Sequence, residues 1–173
     1  DQARYKSRVM IYSFSDKQCF VYGGDTVYNR HTVFRQSVNM TALPLLLEPE
    51  QLARHLDDAG LLIVDLCKES VYQQAHIPHA VWLNSRQLVS GAMPAAGKLP
   101  SRQALQTLFG NLGLTPDRHV VVYDDEGGGW AGRFIWTLDV IGHRNYSYLN
   151  GGLHAWLAAG VPIENLPHTP APS

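Results

Sequence analysis

Gly127, Gly129 and Gly132 match the pattern G-x-G-x-x-G, which can bind the phosphates of a dinucleotide. The pattern has the required context: the apolar run His119–Tyr123 predicts a strand before it, and the apolar spacing over Trp130–Ile141 predicts a helix after it. Three acidic residues at 124–126, however, would crowd the mouth where a pyrophosphate lies. The next predicted strand ends at Asn150, not at an acidic partner for the ribose, and too little sequence follows for the rest of such a domain. We therefore expect no dinucleotide cofactor.

A metal site is the second chemistry that the residue types suggest, because His76 and His79 lie three positions apart. A proline separates them, so they are not a helical pair, and no cysteine or carboxylate cluster completes a ligand set. We therefore expect no metal, and we interpret His76 as a turn residue whose ring hydrogen-bonds to the backbone. The other histidines are scattered and are expected on the surface: His31, His55, His119, His143, His154 and His168.

The two cysteines, Cys19 and Cys67, are too few for a disulfide framework. We expect reduced thiols and a cytoplasmic protein. The first residues lack the pattern of a secretory leader, and no apolar run approaches the roughly 20 residues that span a bilayer. With 45% hydrophobic and 17% charged residues the chain can form a core, and its net charge of −1 argues against nucleic-acid or anionic-membrane partners.

The sequence divides into three parts that differ in composition and pattern. Residues 1–39 are expected to be an extension, in which the strand-like runs Val9–Tyr12 and Cys19–Tyr22 predict a hairpin that is marginal by itself in water. Residues 40–166 form the predicted domain. The proline-rich segment 167–173 is expected to be a linker or tail.

Strands and helices alternate through the predicted domain. The predicted strands are residues 61–64, 80–83, 119–123 and 146–149. The predicted helices are Glu48 to Ala59, one that Ser101 caps, Trp130 to Ile141, and one that follows Gly151-Gly152. Residues 61–64 are continuously apolar, as in a strand buried on both faces. The pattern predicts an α/β fold with a parallel sheet flanked by helices on both faces.

Three segments, in order, resemble the signature of the rhodanese-like sulfurtransferase family. They are Val64–Leu66 with Tyr72 and His76–Ala80, then Val121–Asp125, then Asn150–Trp156. The residues that carry the structural signature are Asp65, His76, Pro78, Gly151, Gly152 and Trp156. The segment Asp124–Trp136 is also similar to the first, non-catalytic half of bacterial two-domain thiosulfate sulfurtransferases. Two positions depart from the family pattern: His79 replaces a glycine, which we expect to reshape its turn, and Asp124 replaces the catalytic cysteine.

The resemblance implies a parent activity in which a loop cysteine accepts a sulfane sulfur and passes the persulfide sulfur to an acceptor such as cyanide. That chemistry needs backbone N–H groups and a helix N-terminus around the thiolate. The active-site-like loop comprises Asp124, Asp125, Glu126, Gly127, Gly128, Gly129, Trp130 and Arg133. It offers the cradle but no sulfur, so no catalytic residue is assigned in this chain.

Two functions remain open. The resemblance implies a catalytically silent amino-terminal half that packs against a catalytic carboxyl-terminal domain of the same parent chain, without any cofactor. The alternative is a stand-alone binding or regulatory module whose loop recognises a protein or an anion. An apolar patch around Trp130 would favour the first, and an all-polar loop face would favour the second.

Three side chains near the loop have alternative roles. Arg133 could hold an anion at the loop mouth or pair with one of the acids, whose mutual repulsion needs a cation. Trp130 is either core or part of a wall that faces a partner. Cys67 follows a different predicted strand and could lie near the site, although we favour a small buried side chain without a chemical role.

Overall fold

The computed structural model describes residues 12–15, 18–21, 43–169 and 173. Its contacts divide the chain into two units, Asp1–Val38 and Asn39–Ser173. In the first unit, strands β1 (Tyr12–Ser15) and β2 (Gln18–Val21) form an antiparallel pair. An antiparallel pair is thus present as predicted, but β1 lies later than the predicted first strand, whose residues 9–11 are outside the described part of the chain.

The second unit contains a five-stranded sheet in which all neighbours are parallel. Its strands are β3 (Leu46–Leu47), β4 (Leu61–Asp65), β5 (Val81–Trp82), β6 (His119–Tyr123) and β7 (Tyr146–Leu149). The spatial order is β3-β7-β6-β4-β5, which places β6 at the centre. The register sets Asp65 opposite Tyr123, so the carboxyl ends of β4 and β6 meet at one edge.

Helices cover both faces of this sheet, as predicted. They are α1 (Pro49–Leu52), α2 (Glu69–Tyr72), α3 (Arg102–Asn111), α4 (Gly129–Ile141) and α5 (Gly152–Ala158), with a 3-10 turn at Ser85–Leu88. Alternate side chains of β6 face opposite ways. Val120 and Val122 pack in the core cluster that contains Phe109 and Phe134, whereas Val121 packs in the cluster that contains Trp156.

The helix predicted over Glu48 to Ala59 is wrong in length, because α1 ends at Leu52. Beyond this point the chain makes tight turns, with His55 N–H donating to the Leu52 carbonyl and Asp58 N–H to the His55 carbonyl. The side chains of His55 and Asp58 also hydrogen-bond to each other at 2.8 Å. Aspartates and a following glycine favour such turns over a continued helix. Within the described residues, no helix is long and apolar enough to cross a membrane.

Candidate functional site: the loop after the central strand

Asp124 follows β6 directly, and its buried carboxylate accepts four backbone hydrogen bonds from the loop that it starts. Oδ1 accepts from the N–H of Glu126 at 3.1 Å and of Gly128 at 2.7 Å. Oδ2 accepts from the N–H of Trp130 and of Ala131, both at 3.0 Å. Charge-assisted bonds of this kind are among the stronger hydrogen bonds in proteins. The loop is therefore an anion cradle that its own carboxylate fills.

The cradle forms because glycines allow the backbone to turn inward. Gly127 and Gly128 have φ of 81° and 90°, in the left-handed region that side chains disfavour. Gly128 is also the N-cap of α4, so two of the four donors belong to the first turn of that helix, whose positive end faces the carboxylate. These four N–H groups serve Asp124, and this use of them argues against the pyrophosphate function of the G-x-G-x-x-G pattern.

The start of α5 holds the other side of Asp124. The Leu153 N–H donates to the Asp124 carbonyl at 3.1 Å, and the glycine before it, Gly152, lies against the same carbonyl. Gly151, at φ 71°, leaves no room for a side chain beside Ala155. The Trp156 indole is fully buried and donates to the Pro162 carbonyl at 2.8 Å.

The cation beside the acidic residues is Lys68, not Arg133. Lys68 Nζ lies 3.0 Å from the Glu126 carboxylate, which raises the pKa of the lysine through a hydrogen bond and its charge. Both side chains are exposed, so the pair adds little stability.

The predicted pairing of the loop acids with Arg133 is wrong, whereas the anion-holding role of Arg133 stays a prediction. Its guanidinium donates to the carbonyls of Leu88 and Gly97, the latter at 2.8 Å, and its Cζ lies 4.6 Å from the centre of the Trp136 ring. Backbone carbonyls from the segment that follows β5 take up its donors, and the sequence pattern gave no signal of this long-range contact. Arg133 therefore joins α4 to that segment.

Asp65, Cys67 and Tyr123 form a buried group at the shared carboxyl edge of β4 and β6. Asp65 accepts a hydrogen bond from the Tyr123 hydroxyl and one at 2.7 Å from the Cys67 N–H. Burial raises the pKa of Asp65 and of Tyr123. Burial, and then the charge of Asp65, raises the pKa of the Cys67 thiol. Cys67 therefore has a buried thiol with little tendency to ionise.

Trp130 packs on the core and also lines a cleft beside the loop, and its place in a wall that faces a partner stays a prediction. Its half-buried ring packs against the core cluster on the α3 and α4 side of the sheet. It also lines a cleft of about 360 Å³ together with Cys67, Lys68, Trp82 and Glu126. Trp130 is therefore not wholly core, and the cleft that it lines has mixed polarity.

The His76–Ala80 segment is a turn whose residues are buried except for His79. The His76 ring lies 2.7 Å from the Tyr72 carbonyl through Nδ1, so the ring contacts backbone as expected, and Pro78 is buried beside it. His79 has φ 66°, so this histidine adopts the backbone conformation that a glycine favours. Its side chain is held on a backbone conformation that non-glycine residues disfavour, and the expected reshaping of the turn stays a prediction.

Two expectations about histidines are wrong. His119 and His143 are buried, and His119 lies between Asn145 Oδ1 at 2.6 Å and Ser147 Oγ at 2.7 Å; burial lowers its pKa.

A carboxylate and another histidine do lie near His76: Glu164 and His168, from the chain after α5, bring ligand atoms within 4.8 Å of one another and of His76. Both arrangements were missed in the sequence because the residues that meet lie far apart in the chain. His31 lies outside the described residues.

Comparisons with known proteins agree with this geometry. A model of the rhodanese-like domain matches residues 48–159. The thiosulfate sulfurtransferase of Pseudomonas aeruginosa is 50% identical over 130 residues, which are 75% of this chain and 47% of that protein. That of Azotobacter vinelandii is 48% identical over 135 residues, or 78% and 49% of the two chains. The crystal structure of SseA, a 3-mercaptopyruvate sulfotransferase from Escherichia coli, matches with a TM-score of 0.68 and 27% identity, covering 74% of this chain and 53% of that one.

The chain spans about half the length of the curated relatives it matches. The matched region runs from the start of α1 to the end of α5, and so it includes the five-stranded sheet from β4 onward and the whole Asp124 loop. The family model matches most of the chain, and the fold has the same architecture with a glycine-lined loop after the central strand. The chain therefore belongs to the rhodanese-like domain family.

Proposed function

We propose that this chain is the catalytically silent half of a tandem thiosulfate sulfurtransferase, in which Asp124 stands where catalytic domains carry the sulfur nucleophile. The observation that carries the proposal is the set of four backbone N–H groups that converge on the Asp124 carboxylate. Such a set would stabilise a thiolate or a persulfide if a cysteine stood at its centre. Here the side chain of Asp124 occupies that centre instead.

Sulfur transfer needs a group that a carboxylate cannot replace. In the reaction, a cysteine thiolate attacks the outer sulfur of thiosulfate, a new sulfur–sulfur bond forms, and sulfite leaves with the electrons of the old bond. Thiocyanate forms when cyanide then takes the outer sulfur and returns the thiolate. Cys67, the free cysteine among the described residues, is 3% exposed and its thiol pKa is raised, so it is a poor substitute.

A catalytic partner domain is supported by length and by exposed apolar residues. The relatives are about twice as long as the matched region. On the outer side of α4, Trp136 and Val140 are 47% and 52% exposed, and Leu45 and Leu46 at the start of β3 are 63% and 51% exposed. Exposed apolar patches mark protein interaction sites, and these four residues are candidates for one. The free thiol of Cys67 is compatible with a reducing compartment, and we retain the cytoplasm as the proposed location.

The test is thiocyanate formation from thiosulfate and cyanide. The purified chain is assayed alone and then with the part of the Pseudomonas aeruginosa enzyme that this chain does not match. We expect no turnover alone and a higher rate in the mixture than the added part shows by itself. A Val140→Lys variant should lose this enhancement, while Gln106→Lys on exposed α3 should keep it. Turnover by the chain alone that Cys67→Ser abolishes would overturn the proposal.

A stand-alone binding module is the second candidate, favoured by the polar residues on the exposed side of the loop. Lys68 and Glu126 pair there in exposed positions, and Gly127 and Gly129 are exposed beside them. The assay of this chain mixed with the unmatched part of the Pseudomonas aeruginosa enzyme discriminates between the two functions. A module would neither raise the rate of the added part nor respond to Val140→Lys.

A further inference from the structure

We propose that His76, Glu164 and His168 form a binding site for a divalent transition metal of the zinc type. One nitrogen, one carboxylate oxygen and a second nitrogen lie within 4.8 Å of one another. Two imidazoles and a carboxylate are a donor set that zinc accepts, with a fourth position left for water. This site is independent of the sulfur-transfer function proposed for the domain.

The second observation is the state of His76. This side chain is fully buried, and its Nε2 has no hydrogen-bond partner among the described residues. The other ring nitrogen, Nδ1, must donate its proton to the Tyr72 carbonyl at 2.7 Å, because a carbonyl oxygen can only accept. Nε2 of the neutral ring then carries a free lone pair. A buried polar atom without a partner is costly, and a metal ion would satisfy it.

This arrangement has the form of a metal-binding histidine. Such histidines bind through one nitrogen while the other donates to a carbonyl or carboxylate that fixes the ring. Tyr72 orients the ring in a second way, since the two rings stack with centroids 3.9 Å apart. The Tyr72 hydroxyl also accepts from the His168 N–H at 3.1 Å, so one tyrosine positions both histidines.

Glu164 is held next to His76 by the backbone. The His76 N–H donates to the Glu164 carbonyl at 2.8 Å, and the Glu164 N–H donates to the His76 carbonyl at 2.9 Å. The Glu164 carboxylate also accepts from the His79 N–H at 3.2 Å and lies 2.5 Å from His168 Nε2. Two of the three ligand atoms are thus already in contact.

Metal binding requires a small rearrangement of the ligand atoms. Tetrahedral zinc ligands at about 2.1 Å from the ion are about 3.4 Å apart, so the Glu164 oxygen and the His168 nitrogen, now at 2.5 Å, must move apart to admit the ion. Glu164 and His168 lie in a segment without helix or strand pairing beyond the single bridge to His76, so their side chains can adjust. Zinc would replace the proton that His168 and Glu164 share, and would bind the free Nε2 of His76.

The experiment is a zinc titration of the untagged, chelator-treated full chain against a competing chromogenic chelator. We expect one saturable equivalent, with affinity reduced at least about tenfold in His168→Asn and in Glu164→Gln. The matched controls, His154→Asn and Glu50→Gln, replace exposed residues of the same types and should bind as the original chain does. Equal affinity in all five proteins, or no saturable binding, would overturn the proposal.

A second measurement does not depend on any substitution. Long-range nitrogen–proton NMR spectra report the protonation and metal contact of each imidazole nitrogen. On addition of zinc, the His76 Nε2 resonance should shift while Nδ1 remains protonated. Zinc binding that leaves both His76 nitrogens unchanged would mean that the ion sits elsewhere, and would also overturn the proposal.

Discussion

Gly152 lies so close to Asp124 that a β-carbon at this glycine would be 2.2 Å from the Asp124 carbonyl oxygen. Its φ of 57° adds a backbone conformation that side chains disfavour. The Leu153 N–H donates to the same carbonyl at 3.1 Å. This contact fixes the start of the anion cradle against the start of α5, so the glycine pair of the signature and the loop form one structural unit.

Replacing Gly152 should destabilise the folded protein. Gly152→Ala should lower the free energy of unfolding by about 3 kcal/mol or more, because backbone atoms must move apart and the left-handed conformation is strained. Gly132→Ala is the matched control: this exposed glycine lies inside α4, and a β-carbon there meets nothing within 4 Å. That substitution should stabilise by about 0.5–1 kcal/mol. Chemical denaturation measures the free energy of unfolding of both variants, and similar changes in the two would contradict the prediction.

The Asp124 carboxylate should be a major source of stability. Asp124→Ala leaves four N–H groups without their acceptor and should cost at least about 3 kcal/mol of unfolding free energy. Asp124→Asn keeps one acceptor oxygen and should cost less. Asp57→Asn, at a fully exposed aspartate, should change stability by less than about 0.5 kcal/mol. Urea denaturation of the three variants would show the order, and an Asp124→Ala variant as stable as Asp57→Asn would refute it.

A thiol placed in the cradle should become chemically competent. In Asp124→Cys, the N–H groups and the start of α4 should lower the thiol pKa and favour attack on thiosulfate, with sulfite as the leaving group. The intact-mass spectrum should then show the addition of one sulfur atom. Asp124→Ser has a side chain of similar size and no thiol. Equal sulfur addition in the serine variant would place the reaction at another cysteine and contradict the prediction.

Cys67 should make stability fall at high pH. Burial raises the pKa of its thiol in the folded protein, whereas the unfolded thiol ionises near its ordinary value of 9.0. The folded state therefore binds the proton more tightly, its advantage is complete below pH 9, and it is lost progressively as the pH rises above that value. Between pH 8 and 10 the thiol should account for a loss of at most about 1.4 kcal/mol. Cys67→Ala should lose less stability over this range than the original chain, and parallel curves would contradict the assignment.

The same burial should protect Cys67 from reagents. With 3% of its surface exposed and a raised thiol pKa, Cys67 should react with iodoacetamide at pH 8 far more slowly in the native protein than in urea. Peptide mapping separates its reaction from that of Cys19. Rapid native alkylation of Cys67 would show that the thiol opens to solvent and would revive it as a candidate nucleophile.

Local patterns in the sequence were enough for the fold class and for the position of the loop. Five consecutive residues from His119 to Tyr123 predicted the central strand, which has those bounds. Ser101 predicted a helix start, and its hydroxyl accepts from the Ala104 N–H at 3.2 Å. The glycines at 127–129 indicated an inward-turning loop. Strand periodicity, capping and positive φ depend on neighbouring residues, so a single sequence carries their signal.

Tertiary structure decided which side chains meet. The predicted partner of the acidic loop was Arg133, yet Lys68 fills that position and Arg133 bonds to carbonyls far away in sequence. His76, whose Nε2 has no hydrogen-bond partner among the described residues, lies near Glu164 and His168, about ninety residues later, because the chain after α5 returns to pair with it. Contacts at such separations depend on how helices and loops pack on the sheet, and no local propensity encodes them. The sequence by itself determined the central strand, the glycine-rich loop and the absence of a cysteine from that loop, whereas the side chains that surround the loop follow from packing.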